Sequence, residues 1–104
     1  MEPFTIFFEA SALRDLEQVD RKYLSLIRRT IDEQLHYEPL IQTRNRKPLV
    51  HEIWPGASWE LRFGPGNRFR VFYDVDEQDR RIVIIAIGVK IGSRLRVGGK
   101  EVQL

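Results

Sequence analysis

Between Trp59 and Val75 the chain alternates apolar with polar residues, breaks at a glycine-containing stretch, and alternates again; no other feature restricts the fold as much. The first arm sets Trp59, Leu61 and Phe63 against Glu60 and Arg62, and the second sets Phe69, Val71, Tyr73 and Val75 against Arg70 and Phe72. A period of two marks strands with one buried face, so the segment reads as a β-hairpin with Gly64 to Arg68 as its turn. Cross-strand partners share a face. One register satisfies both arms: Phe63 opposite Phe69, and Arg62 opposite Arg70. Like charges directly opposite each other destabilise a sheet by roughly a few tenths of a kcal/mol to 1 kcal/mol. Either an anion binds between the two guanidinium groups, or each fans into solvent or pairs with Glu60 or Asp74.

Other segments supply the partners of this hairpin. Phe4 to Glu9 is short and aromatic and reads as a first strand, after which Ser11 is placed to cap a helix. Leu13, Leu16 and Val19 recur at helical spacing. Asp20 is placed to start a second helix with Tyr23, Leu24, Ile27, Ile31 and Leu35 on one stripe, closed by Pro39. Mixed charges occupy the other faces of both helices, as on a solvated surface. Leu40 to Ser58 shows no period, and Arg44-Asn45-Arg46-Lys47-Pro48 reads as a loop or a ragged edge, because proline has no N–H for a central strand. After the acidic turn Asp76 to Asp79, the unbroken run Ile82-Val83-Ile84-Ile85-Ala86-Ile87 reads as a strand buried on both faces. The tail from Lys90 to Lys100 has weak strand character and bends at Gly92 and Gly98-Gly99. The expected fold is therefore α+β: an N-terminal strand, a helical hairpin, then a small antiparallel sheet of about three further strands with the helices on one face.

A chain of 104 residues with 42% apolar content is expected to form one domain over residues 1–104. With no cysteine and only two histidines, His36 and His51, in separate segments, no metal site is expected. No apolar run approaches the ~18 residues of a membrane span, and Met1-Glu2-Pro3 lacks the basic flank of a signal peptide, so a cytoplasmic location is expected. Charge is unevenly placed. Residues 1 to 39 carry five basic and eight acidic side chains, whereas residues 40 to 104 carry twelve and seven. An anionic partner should meet the basic half. The cations of Arg44 to Lys47, of the hairpin and of the tail to Arg96 are expected to converge on the sheet face away from the helices, as a phosphate-binding surface.

Phe8-Glu9 with Ala12-Leu13-Arg14-Asp15-Leu16, Arg46-Lys47-Pro48-Leu49, Trp59-Glu60-Leu61-Arg62, Phe69-Arg70-Val71-Phe72-Tyr73 and Ile87-Gly88-Val89-Lys90 follow one another in an order and spacing that resemble the RelE/ParE superfamily of bacterial toxins. These toxins belong to type II toxin–antitoxin modules. RelE-like and HigB-like members are similar in cutting messenger RNA in the ribosomal A site, without metal or other cofactor, by helping a ribose 2′-hydroxyl attack the adjacent phosphate. ParE-like members act on DNA gyrase instead. The Val-x-Lys close of the last core strand looks more RelE- or HigB-like.

The resemblance implies a cognate antitoxin as partner, with the ribosome and messenger RNA as targets. It implies that Arg70 stabilises the phosphate and that Lys90 is the basic residue after the last core strand. Preformed cationic donors stabilise the charge that builds on nonbridging oxygens. Arg62 is a second clamp candidate, Glu60 is the nearest candidate base on the same face, and Arg44, Arg46, Lys47, Arg68, Arg94 and Arg96 are candidates for flanking phosphates. The chain departs from the family where some nucleases have hairpin lysines, here Ser58 and Glu60, and a tail tyrosine, here Arg96. Two other readings stand beside this one: a gyrase inhibitor, and a domain that only binds its antitoxin or RNA. Tyr73 falls on the apolar face by alternation although the family places a tyrosine there, and Trp54 and Trp59 are either base-stacking residues or anchors in the core.

Overall fold

A strand, two helices and six further strands succeed one another in the computed structural model, which describes residues 2–102. They are β1 (Thr5–Phe8), α1 (Ala10–Leu16), α2 (Leu24–Leu35), β2 (Arg46–Pro48), β3 (Trp59–Phe63), β4 (Phe69–Asp76), β5 (Arg81–Ile91), β6 (Arg94–Val97) and β7 (Lys100–Val102). All seven strands join one sheet in the order β2-β3-β4-β5-β6-β7, with β1 paired parallel to β5 and every other pair antiparallel. The class is α+β. The hairpin adopts the register its alternation dictates, Phe63 opposite Phe69 and Arg62 opposite Arg70.

Three strands exceed the sequence expectation, and each is short for a physical reason. β2 is a three-residue edge whose Pro48 ends the pairing, and β6 and β7 carry only Leu95, Val97 and Val102 as apolar residues. Such segments are too brief to show a period, although Arg94 to Val97 does alternate exposed with buried.

β5 is the centre of the sheet. β4 runs along one edge, while β1 and β6 share the other, β1 opposite Arg81 to Ile84 and β6 opposite Gly88 to Ile91. In the gap between them α1 supplies the missing partners: Ser11 Oγ donates to the Ile85 carbonyl at 2.9 Å, and the Ile87 N–H donates to Asp15 Oδ2 at 2.9 Å. Ser11 and Asp15 are four residues apart and so share one side of the helix. Ser11 is therefore not a cap; the capping position is Glu9, which makes no side-chain cap bond. The apolar stripe of α1 is displaced accordingly. Ala12 and Asp15 are buried, whereas Leu13 is exposed.

The two helices are joined by Glu17 to Tyr23. Asp20 accepts from the Lys22 N–H and starts a single 3-10 turn, and α2 begins only at Leu24. A groove of about 240 Å³ between the helices is lined by Leu13, Leu16, Leu24, Ile27 and Ile31. Both helices still contribute to one core, where Ala12, Ile27, Ile31 and Leu35 meet Leu61, Phe63, Phe69, Val71, Tyr73, Ile82, Ile84 and Ile87.

A second, smaller core lies on the outer face of the sheet. Phe72, Ile85, Ala86, Leu95 and Val97 pack there beneath Leu49, Ile53, Trp54 and Ala57 of the segment before β3. The register shifts between Phe72, opposite Ala86, and Tyr73, opposite Ile84, so Ile85 is the extra residue of a bulge and enters this core beside Ala86. Burial on both sides accounts for the unbroken apolar run of β5.

Candidate functional site

Alternation decides which hairpin residues leave the helix-side core. Leu61, Phe63, Phe69, Val71 and Tyr73 enter it, so Glu60, Arg62, Arg70 and Phe72 point outward. The anion that the arginine pair requires is Glu60 itself. Arg70 Nη1 donates to Glu60 Oε1 at 2.9 Å, and Arg62 Nε donates to the same oxygen at 3.2 Å, with Arg62 Nη2 3.4 Å from Oε2. Arg70 Nε donates to the Asn67 carbonyl of the hairpin turn at 3.1 Å. Glu60 is 2% exposed and Arg70 5%, while Arg62 is only half-buried. A buried carboxylate between two guanidinium groups is held as their counter-ion, because stripping either sign of its partner inside the protein is costly.

Lys47 and Lys90 extend this cluster. Lys47 lies opposite Glu60 in the β2–β3 pair, and Lys90 lies opposite Leu95, whose side chain is in the outer core. The outer face thus carries four cations, Arg62 and Arg70 on Glu60, Lys47 beside it, and Lys90 two residues beyond Gly88, the partner of Arg70, with Asp74 as a second carboxylate on the same face, bonded by Ser58. Lys47 and Lys90 are half-buried, and neither has a carboxylate partner within salt-bridge distance among the described residues.

The remaining sequence candidates are dispersed, which corrects the expectation of a single convergent surface. Arg44 is exposed ahead of β2. Arg46, opposite Leu61, points to the helix side, where it is buried, donates to the Gln34 carbonyl and lies 3.7 Å from Glu38. Its role is to tie β2 to the end of α2. Arg68 would continue the outer row if the strand did, but its backbone is helical and its guanidinium turns instead to the Tyr23 hydroxyl at 3.1 Å. Arg94 and Arg96 lie opposite Ile91 and Val89, on the helix side, and Arg94 pairs with Glu101 at 3.5 Å.

Tyr73 is a core residue. It is fully buried and donates to the Pro39 carbonyl at 2.6 Å. Burial pushes its phenol well above the ordinary tyrosine value, so it stays protonated. Trp59 stacks on Tyr73 in the same core, Trp54 covers the outer core, and His51 is exposed in the covering segment.

Sequence reasoning missed Asp15. Burial raises its carboxyl above the usual carboxylate range, against the opposing pull of the Ile87 N–H and of Arg14. The detectable signal was a serine and an aspartate four residues apart in a short helix.

A second concavity, of about 410 Å³, opens on the helix side between the end of α1 and the β5–β6 edge. Val19, Phe69, Ile87 and Val89 line it, with Lys22, Arg68 and Arg96 among its cations. No helix among the described residues is long and apolar enough to cross a membrane.

No curated protein matches the sequence. The chain is similar to one in the crystal structure of the toxin–antitoxin complex RelBE2 from Mycobacterium tuberculosis, with a TM-score of 0.69 and 28% identity over 85% of this chain and 99% of that one. The family model of the ParE toxin of type II toxin–antitoxin systems, parDE, matches residues 6–90, and with the strand-helix-helix-sheet order and the arginine-bearing hairpin it places the chain in the RelE/ParE superfamily of type II toxins.

Proposed function

We propose that this toxin is a ribosome-dependent messenger RNA endoribonuclease that works in the cytoplasm as a single domain and is neutralised by a cognate antitoxin. The observation that supports this reading is the outer face, where the cations Lys47, Arg62, Arg70 and Lys90 outnumber the carboxylates Glu60 and Asp74. An excess of cations suits a polyanion better than a neutral protein surface. Arg62 and Lys90 contact the phosphate at the cleaved bond, and Lys47 holds a flanking phosphate. Arg70 is fixed by Glu60 and by the Asn67 carbonyl, so it adds an oriented positive field beneath that phosphate without having to reorganise.

The chain's contribution to the 2′-hydroxyl attack is then electrostatic and positional. Glu60 acts as the counter-ion that orients Arg62 and Arg70 and not as the general base, because its oxygens are engaged by both guanidinium groups. Tyr73 is excluded from proton transfer by its burial.

The same engagement of Glu60 favours a second reading, a gyrase inhibitor that needs no acid–base pair. Cell-free bacterial translation separates the two. Primer extension on messenger RNA is expected to show cuts with purified toxin and ribosomes and none without ribosomes. Intact messenger RNA together with inhibited supercoiling by gyrase would overturn the nuclease reading.

A further inference from the structure

The ladder between β2 and β3 ends at Arg46, opposite Leu61, yet the backbone of Arg62 is not left open on that side. Asn45 takes the next position. Its carbonyl accepts from the Arg62 N–H at 2.7 Å, as that of an antiparallel partner does. The return bond is different. An ordinary partner donates its own N–H to the opposite carbonyl, but the Asn45 N–H is already held by Thr43 Oγ1 at 3.1 Å. The side-chain amide replaces it, and Asn45 Nδ2 donates to the Arg62 carbonyl at 2.8 Å.

The turn that diverts the Asn45 N–H is itself closed. Thr43 Oγ1 also accepts from the Arg46 N–H, at 3.1 Å, and the Thr43 N–H donates to the Arg46 carbonyl at 2.8 Å. Arg46 is buried and tied to the end of α2 through the Gln34 carbonyl and Glu38. On this edge, both backbone polar groups of Arg62 are therefore fixed to a turn anchored in the helix layer. The side chain is held less firmly. Its Nε lies 3.2 Å from the Glu60 oxygen that Arg70 holds at 2.9 Å, and its Nη2 lies 3.4 Å from the other oxygen. With so loose a hold at the guanidinium, the fixed backbone decides where a half-buried Arg62 can stand.

We infer that Asn45 is a positioning residue for cleavage: its side-chain amide, standing in for a strand N–H, fixes the backbone of Arg62 so that the guanidinium meets the phosphate at the cleaved bond without reorganising. The inference rests on the nuclease reading above and adds to it a residue that need not touch RNA itself. The pair is completed only by a side chain that carries a donor at this reach. An aspartate at position 45 would set an oxygen against the Arg62 carbonyl, and an alanine would leave that carbonyl without its donor.

The test is ribosome-dependent cleavage followed by primer extension, with kcat and KM measured separately. Asn45→Ala is expected to lower kcat about fivefold and to leave KM within about twofold of the parent value, because Lys47 and Lys90 still hold the message. In an Arg62→Ala background the same substitution is expected to change kcat by less than about twofold, since a residue that acts through Arg62 then has nothing left to position. A role in folding alone would lower kcat equally in both backgrounds. Asn45→Asp keeps the shape of the side chain and removes the donor, and is expected to show the same loss with the same dependence on Arg62. The two substitutions break one bond through different side chains, so misfolding of one leaves the other to decide. A kcat within about twofold of the parent, or an equal loss with and without Arg62, would overturn the inference and leave the nuclease reading standing. Absence of cleavage by the parent toxin would overturn the nuclease reading and the inference with it.

Discussion

The outer face and the helix-side groove handle arginine in opposite ways. On the outer face Arg70 is buried, and the chain provides its own anion, Glu60, shared with Arg62. In the groove Arg96 and Lys22 remain exposed, and neither makes a salt bridge among the described residues. The difference follows from solvation. A guanidinium removed from water must be neutralised within the fold, whereas one that keeps its water can await a partner's charge. An arginine pair in a sequence is therefore an ambiguous sign of an anion site: inside a hairpin it can be an internal ion triad, and the surplus cations around it mark the surface available to a ligand.

The largest predicted effect strikes the internal side of this contrast. Glu60→Ala leaves Arg70 buried with no counter-ion, and should lower stability by about 3–5 kcal/mol in urea denaturation. A loss below about 1 kcal/mol would show that Glu60 does not hold the outer face together. The pair Glu60→Met with Arg70→Met should recover much of that stability while abolishing toxicity, because an apolar replacement of both partners removes the unpaired charge.

Tyr73→Phe should have a smaller effect. It leaves the Pro39 carbonyl without its donor and should cost about 1–2 kcal/mol, with messenger RNA cleavage unchanged. A fall in cleavage without a fall in stability would return Tyr73 to the catalytic set.

Asp15 gives the smallest effect and the only one tied to pH. Its folded value lies above the 3.8 of an exposed aspartate, so the native state holds the proton longer than the unfolded chain does. Its contribution is fully present below pH 3.8 and is lost as pH rises through the raised value. The parent chain should therefore lose stability relative to Asp15→Asn between acidic and neutral pH, as followed by urea denaturation at both. The opposite trend would mean that the Ile87 hydrogen bond outweighs burial.

The hairpin was legible because alternation fixes face and partner cross-strand identity at once, and the Phe63–Phe69 and Arg62–Arg70 pairs required nothing more. β5 was legible because burial on both faces leaves an uninterrupted β-branched run. Less was legible where one residue type serves several environments. Arg46 and Arg96 have the composition of a phosphate clamp, yet pairing with Leu61 and Val89 sends them to the helix side. Arg68 leaves the pleat through a local helical turn that no pattern announces. Ser11 looks like a helix cap, but the gap between β1 and β6 along β5 takes its hydroxyl, and that gap exists only after the tail has folded back as β6.

The most direct test of the division between the two faces is primer extension in cell-free translation with two matched variants. Arg62→Ala combined with Lys90→Ala should reduce ribosome-dependent cleavage at least about a hundredfold, about tenfold for each contact removed. Lys22→Glu combined with Ile91→Asp should cut at the same positions and within about threefold of the parent rate. Equal losses in both variants, or a loss confined to the groove variant, would contradict the assignment of RNA to the outer face.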